Sequence, residues 1–168
     1  MTKKIDFVLK QVLEKIEPPE EDLKVINNSL KDFLEKVERK IKRLKIDVEI
    51  FVGGSFAKGT MIKKNYYDVD VFFRFDKRYR DEEIFLLSKR ILKEFVNVSV
   101  IHGSRDYFRI NISPDFFIEV VPVVRVKKPK ESKNITDLSY SHVKYMKKKI
   151  KLNRILDEMK IAKTFCYA

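Results

Sequence analysis

The sequence predicts an α+β fold: a mixed or mostly antiparallel sheet with helices packed on one face. Two observations carry this. Apolar periodicity changes along the chain from helical to alternating and back, giving two helices, two strands, a helix, three strands and two helices. No strand is followed by a G-x-G-x-x-G turn, which disfavours a dinucleotide-binding fold.

The elements follow in order. From about Lys3 to Ile16, the residues Ile5, Val8, Leu9, Val12, Leu13 and Ile16 recur at helical spacing. Pro18-Pro19 ends this helix, and Glu20-Glu21-Asp22 places acids in the first turn of the next. The second helix runs to about Leu44, with Leu23, Ile26, Leu30, Leu34, Val37, Ile41 and Leu44 as its core stripe. The alternating segment Asp47 to Val52 predicts a strand that runs into Gly53-Gly54, and Asp68 to Phe75 predicts the next. Asp81 to Phe95 returns to helical period. Three strands are then expected over Val98 to Ile101, Tyr107 to Ile112 and Phe116 to Val124. Lys127 to Lys133 reads as a basic linker, followed by helices near Leu138 to Ile150 and Leu152 to Cys166.

A chain of 168 residues is long enough for one ordinary domain and too short for two large ones. It is 44% hydrophobic and 37% charged, which fits a packed core under a densely charged surface and excludes disorder. The net charge of +12 favours a polyanionic partner. Lys and Glu enrichment of a thermophile's surface is a second source of charge, but it does not explain 37 basic against 25 acidic residues. With Cys166 the only cysteine, an intrachain disulfide and a cysteine-based zinc site are excluded, and a reducing cytoplasm is the expected location. The longest apolar runs fall far short of a membrane span, and no signal peptide is expected from the charged N-terminus.

The chemistry concentrates in Gly53-Gly54-Ser55-Phe56-Ala57-Lys58-Gly59-Thr60 and in Tyr67-Asp68-Val69-Asp70-Val71. Residues two apart on a strand project from the same face, so Asp68 and Asp70 present neighbouring carboxylates. Such a pair repels unless a cation lies between, and hard divalent cations such as magnesium prefer oxygen ligands. The alternative is a solvent-facing acidic pair. Three of the chain's four glycines fall in the preceding turn, where backbone N–H groups can approach a phosphate and where Ser55 and Lys58 add a hydroxyl and a charge. A third carboxylate, Glu119, stands in an apolar run where an acid is costly unless paired or metal-bound. Its alternative is an outward-pointing glutamate on an edge strand. His102, beside Gly103, reads as a surface residue.

These motifs resemble the polymerase-β-type nucleotidyltransferase superfamily, and within it the archaeal (class I) CCA-adding enzymes, which build the 3′ CCA end of tRNA. The resemblance covers about Val48 to Ala168. Beyond the core motifs, V-V-P-V-V-R-V-K-K-P-K is similar to that family's strand and linker. Asp137 to His142 is similar to its D-R-T-P-x-H element, and Met159 to Phe165 to its lysine-bearing helix. The resemblance implies a polymerase-β-like nucleotidyltransferase head over 1–126, and over 127–168 a basic linker and helices beginning a central domain. It also implies that Asp68, Asp70 and Glu119 are the catalytic, metal-binding residues with Mg2+ as cofactor. Gly54, Ser55, Lys58, Ser139, His142 and Lys163 would bind the incoming nucleotide. Two departures stand out: Glu119 replaces the family's aspartate, and Lys58 replaces its usual arginine.

The implied reaction is transfer of CMP and AMP from CTP and ATP to a tRNA 3′ end. The alternatives are a different polymerase-β-type transferase, oligoadenylate-synthetase-like or antitoxin-type, and an inactive basic RNA-binding relative. The family continues past this point with domains that hold the acceptor arm. The chain is therefore expected to be a fragment, one half of a split enzyme or a minimal transferase, and a downstream domain, a second chain or a homodimer is an expected partner. The lysine-rich stretches Lys127 to Lys133 and Lys144 to Lys151 are expected either to track tRNA phosphates or to form a plain solvated surface.

Overall fold

The computed structural model describes residues 2–150 and 153–167, with side chains from Phe7 onward and a gap in them over 151–153. Ile5 of the expected first stripe therefore lies outside the described side chains, as does the expected helix start at Leu152. The order of elements is the expected one with a short helix added in the glycine turn: α1 (Thr2–Ile16), α2 (Glu20–Leu44), β1 (Val48–Val52), α3 (Gly54–Lys58), β2 (Tyr67–Phe75), α4 (Asp81–Leu92), β3 (Val98–Ile101), β4 (Tyr107–Ser113), β5 (Phe116–Val124), α5 (Ser139–Lys149) and α6 (Asn153–Tyr167). The basic linker is not extended throughout: Pro129–Glu131 and Ile135–Leu138 form short 3-10 turns.

The five strands form one sheet in the order β1-β2-β5-β4-β3. Only the central β2 and β5 run parallel; the other neighbours are antiparallel, so the sheet is mixed. Alternation along the two central strands sorts their side chains. Tyr67, Val69, Val71, Phe73 and Phe75 of β2 and Phe116, Ile118, Val120 and Val124 of β5 point into the main core. That core is closed by Ile26, Leu30, Phe33 and Val37 of α2 and by Ile84, Ile91 and Leu92 of α4. The α2 residues are spaced at three and four, which places them in one stripe.

Charges at the ends of α2 agree with its dipole: Glu20, Glu21 and Asp22 in the first turn, Lys42 and Arg43 in the last. Lys45 ends the helix in the left-handed region, its N–H donating to the Ile41 and Lys42 carbonyls. The first helix is less covered than the second. Phe7 is 61% and Val8 49% exposed, and the helix packs mainly against α6.

The opposite face of the sheet carries Glu49, Phe51, Asp68, Asp70, Phe72, Arg74, Phe117, Glu119, Val121 and Val123. At one end of it Phe51, Phe72, Val121 and Val123 make a smaller apolar cluster. The Tyr140 ring of α5 meets Phe51 edge-on at 4.9 Å and lies 3.6 Å from the Arg74 guanidinium. The other end of this face carries Asp68 and Asp70.

A buried ion pair ties the linker to the sheet. Asp137, with a fully buried side chain, accepts from the Arg105 guanidinium and from the backbone N–H groups of Val124 (2.9 Å), Lys133 (3.1 Å) and Asn134 (3.1 Å). Burial works against its charge, but the Arg105 and backbone donors outweigh it and hold the carboxyl below its usual range. Asp137, which the sequence places in a nucleotide-binding element, is thus the residue that anchors the segment leading to α5.

Candidate active site

Register fixes the acidic residues. On β2, Asp68 and Asp70 project to the same face, and on the parallel neighbour β5 Glu119 stands directly beside Asp70. Because β5 is central in the sheet, the edge-strand reading of Glu119 does not hold. Glu119 is instead paired across β4, accepting from Arg109 Nη2 (2.8 Å) and Nε (3.2 Å). Asp68 accepts from Lys64 Nζ at 3.2 Å. Each of the two outer carboxylates therefore has a cation of its own, and Asp70 stands between them.

The electrostatics follow from that placement. Burial, then the charge of Asp68, then that of Glu119, push the Asp70 carboxyl up from 3.8 to about 6, with Lys58 partly opposing. Burial and the neighbouring charges of Lys64 and Lys58 push the Lys163 ammonium down, against the attraction of Asp68 and Asp70. Lys163 donates to the Thr60 carbonyl at 3.4 Å. The site thus gathers Lys58, Lys64, Arg109 and Lys163 around three carboxylates.

The glycine turn is built against Asp70. Gly53 N–H donates to the Asp70 carbonyl at 2.9 Å, which fixes the turn to β2 where β1 ends. Gly54 has φ +60°, and a Cβ there would lie 1.7 Å from Asp70 Oδ2. Only glycine satisfies both the left-handed backbone and this approach. Gly59 closes α3 with φ +69° and borders Leu156 of α6, so α6 backs the turn and carries Lys163 to it. Ser55 and Lys58 lie half-buried in the turn itself.

Of the residues expected at the site, Asp68, Asp70, Glu119, Gly54, Ser55, Lys58 and Lys163 come together. Ser139 and His142 lie on α5, which packs against α3; Ser139 is half-buried and His142 exposed. Among the described residues no ion pair or hydrogen bond joins either to the carboxylates, and no group of three His, Cys, Asp or Glu side chains is close enough to form a metal cluster. His102 is at the surface as expected, 3.1 Å from Asp106.

Two residues of the site escaped the sequence reading, Lys64 and Arg109. Lys64 lies in irregular chain before β2, where its spacing from Asp68 carries no signal. Arg109 had none that was visible before the pairing of β4 with β5 was known.

The pair Asp68 and Asp70 suits a hard divalent cation: its donors are all oxygen, it lies on one face of β2, and the Asp70 carboxyl is pushed up by burial and then by the charges of Asp68 and Glu119, of which a cation would relieve the last two.

The chain is similar to known proteins over most of its length. The profile of the Nucleotidyltransferase domain family matches residues 30–161. The CCA-adding enzyme of Nanoarchaeum equitans is 37% identical over 140 residues, which cover 82% of this chain and 33% of that protein. The CCA-adding enzyme of Methanocaldococcus jannaschii is 23% identical over 167 residues, covering 96% and 36%. The chain thus spans about a third of the length of the curated relatives it matches. Among solved structures, E. coli MS115-1 CdnC in its complex with HORMA-deltaN superposes with a TM-score of 0.69 at 18% identity, covering 97% of this chain and 57% of that one. The Cid1 poly(U) polymerase superposes at 0.68 and 15% identity, covering 97% and 48%. At such identities these likenesses concern the fold.

Proposed function

Because the chain belongs to the Nucleotidyltransferase domain family, we propose that it is the catalytic head of a magnesium-dependent transferase that adds CMP and AMP from CTP and ATP to a tRNA 3′ end. The observation that carries this reading is the contact of the glycine turn with Asp70. It brings the backbone of the turn against the paired carboxylates, where a triphosphate and a cation are both needed. Several curated relatives are CCA-adding enzymes, which supports tRNA as the acceptor.

Residues 1–126 form the catalytic domain in this reading, and 127–168 begin the segment that follows it. Asp68 and Asp70, with Glu119 beside them, would hold magnesium, which would neutralise the carboxylates and polarise the reacting phosphate. Gly54 and Ser55 seat the triphosphate, while Lys58 and Lys163 take its charge. Ser139 and His142 approach the nucleotide from α5. The acceptor 3′ oxygen forms a bond to the α-phosphorus as the bond to the β-phosphate oxygen breaks, and pyrophosphate leaves. Arg109 donates to the Glu119 carboxylate from β4, and this pair must open or share the carboxylate when the cation binds. Lys127 to Lys133 and the lysines of α5 follow the RNA phosphates, and the enzyme works in the cytoplasm. Among the described residues no helix is long and apolar enough to cross a membrane.

The test is incubation with labelled CTP or ATP, magnesium and tRNA lacking its CCA end. Incorporation into that tRNA in preference to intact tRNA is expected. A different transferase would label another acceptor. Tight RNA binding without incorporation would favour the RNA-binding relative, for which the engagement of Glu119 by Arg109 is the supporting observation.

A further inference from the structure

Beside the carboxylates, on the side away from the glycine turn, the sheet carries an aromatic stack that no step above uses. Phe117 of β5 is the direct neighbour of Asp68 on the same face. The Tyr66 ring stacks on it with centroids 5.5 Å apart and planes 27° from parallel. The Arg109 guanidinium lies 4.3 Å from the Phe117 centroid. Tyr66 is 49% exposed, so an apolar ring face is left in water next to the reacting centre. The Lys64 ammonium lies 5.3 Å from the Tyr66 ring and 5.0 Å from that of Tyr167.

The geometry points to a stacking platform, Tyr66 on Phe117, for the terminal nucleobase of the acceptor RNA strand. This rests on the transferase reading above. In-line transfer requires the two substrates to meet the reacting centre from opposite sides. The glycine turn occupies the β1 side of Asp70, where the triphosphate belongs. The stack occupies the β5 side, so the second substrate arrives over it. Stacking on an aromatic face accepts every base, which suits an acceptor end that changes as it grows. Lys64 and Arg109 flank the platform with positive charge for the terminal phosphates.

The experiment measures binding of a short labelled single-stranded RNA in the absence of magnesium, with either an ordinary or an abasic 3′-terminal nucleotide. The parent protein should bind the abasic strand more weakly, on the order of tenfold. Tyr66→Ala should lose the same factor toward the ordinary strand and no longer distinguish the two, while Tyr66→Phe should behave as the parent. In turnover, Tyr66→Ala should raise KM for the acceptor and leave KM for the nucleotide and kcat near the parent's.

Equal binding of both strands by parent and Tyr66→Ala would overturn the platform. So would a rise in the nucleotide KM alone, which would assign the stack to the incoming base. Failure of the transferase reading looks different: no incorporation with any nucleotide, whatever the strand binding shows. Matching melting temperatures of the variants and the parent confirm that the binding differences concern the surface.

Discussion

Replacing Asp70 by asparagine should make the metal-free protein more stable while removing its activity. Asp70 is half-buried between Asp68 and Glu119, and its carboxyl is pushed up from 3.8 to about 6. The folded state therefore binds the proton more tightly than the unfolded chain between those values, and stability falls as pH rises through the window. Below it there is no penalty; above about pH 6 the penalty is complete. At about 1.4 kcal/mol per pH unit of displacement this amounts to about 3 kcal/mol, which screening by nearby water reduces to roughly 1–2 kcal/mol. For a chain of this size about 2–4 °C accompanies each kcal/mol, so Asp70→Asn should melt roughly 2–8 °C higher at pH 8. The assay is thermal melting by circular dichroism in chelator at pH 8 and pH 5. The gain should shrink at pH 5, and added magnesium should raise the parent's melting temperature more than the variant's. A variant that melts no higher than the parent at pH 8, or whose gain is the same at both pH values, would refute the reasoning.

Other outcomes follow from the same geometry. Magnesium affinity of the parent, measured by calorimetric titration, should weaken as pH falls below about 6, because Asp70 must give up its proton to bind the cation. Gly54→Ala adds a Cβ 1.7 Å from Asp70 Oδ2 at a backbone with φ +60°. It should lower kcat on the order of a hundredfold with the circular dichroism spectrum unchanged, since a catalytic group misplaced by about an ångström costs that much. Asp137→Ala leaves the nearly buried Arg105 without its main partner and should cost about 3–5 kcal/mol in urea denaturation. A loss under 1 kcal/mol would show that water replaces the carboxylate.

Much of this arrangement was legible in the chain. Alternation of β-branched and aromatic residues placed β3 and β5 at their observed ends, and the spacing of Asp68 and Asp70 alone put both on one face. The glycines marked the turn because little else tolerates a left-handed backbone pressed against a carboxylate. What the chain did not disclose was pairing. A tight turn joining Ser113 to Phe116, continued without interruption, would set Arg109 opposite Val120 and Glu119 opposite Ile110. The register instead slips by one residue between Asn111 and Ser113, and this bulge brings Arg109 opposite Glu119. A one-residue slip moves every side chain to the other face, so the ion pair depends on a bulge that no local propensity signals. Asp137 was hidden for a related reason. Its role comes from Arg105 and from the backbone of β5, both distant in sequence. Tyr66 and Phe117 likewise meet only because β2 and β5 run parallel in this register.

The central claim is that Asp68 and Asp70 drive nucleotidyl transfer from the strand face beneath the glycine turn. The most direct measurement is magnesium-dependent release of pyrophosphate from CTP in the presence of tRNA lacking its CCA end, compared among the parent, Asp68→Asn and Asp70→Asn. The expected result is release by the parent and loss by at least a hundredfold in both variants, with Asp70→Asn still folded and melting higher than the parent. Release by Asp70→Asn at the parent's rate would contradict the account.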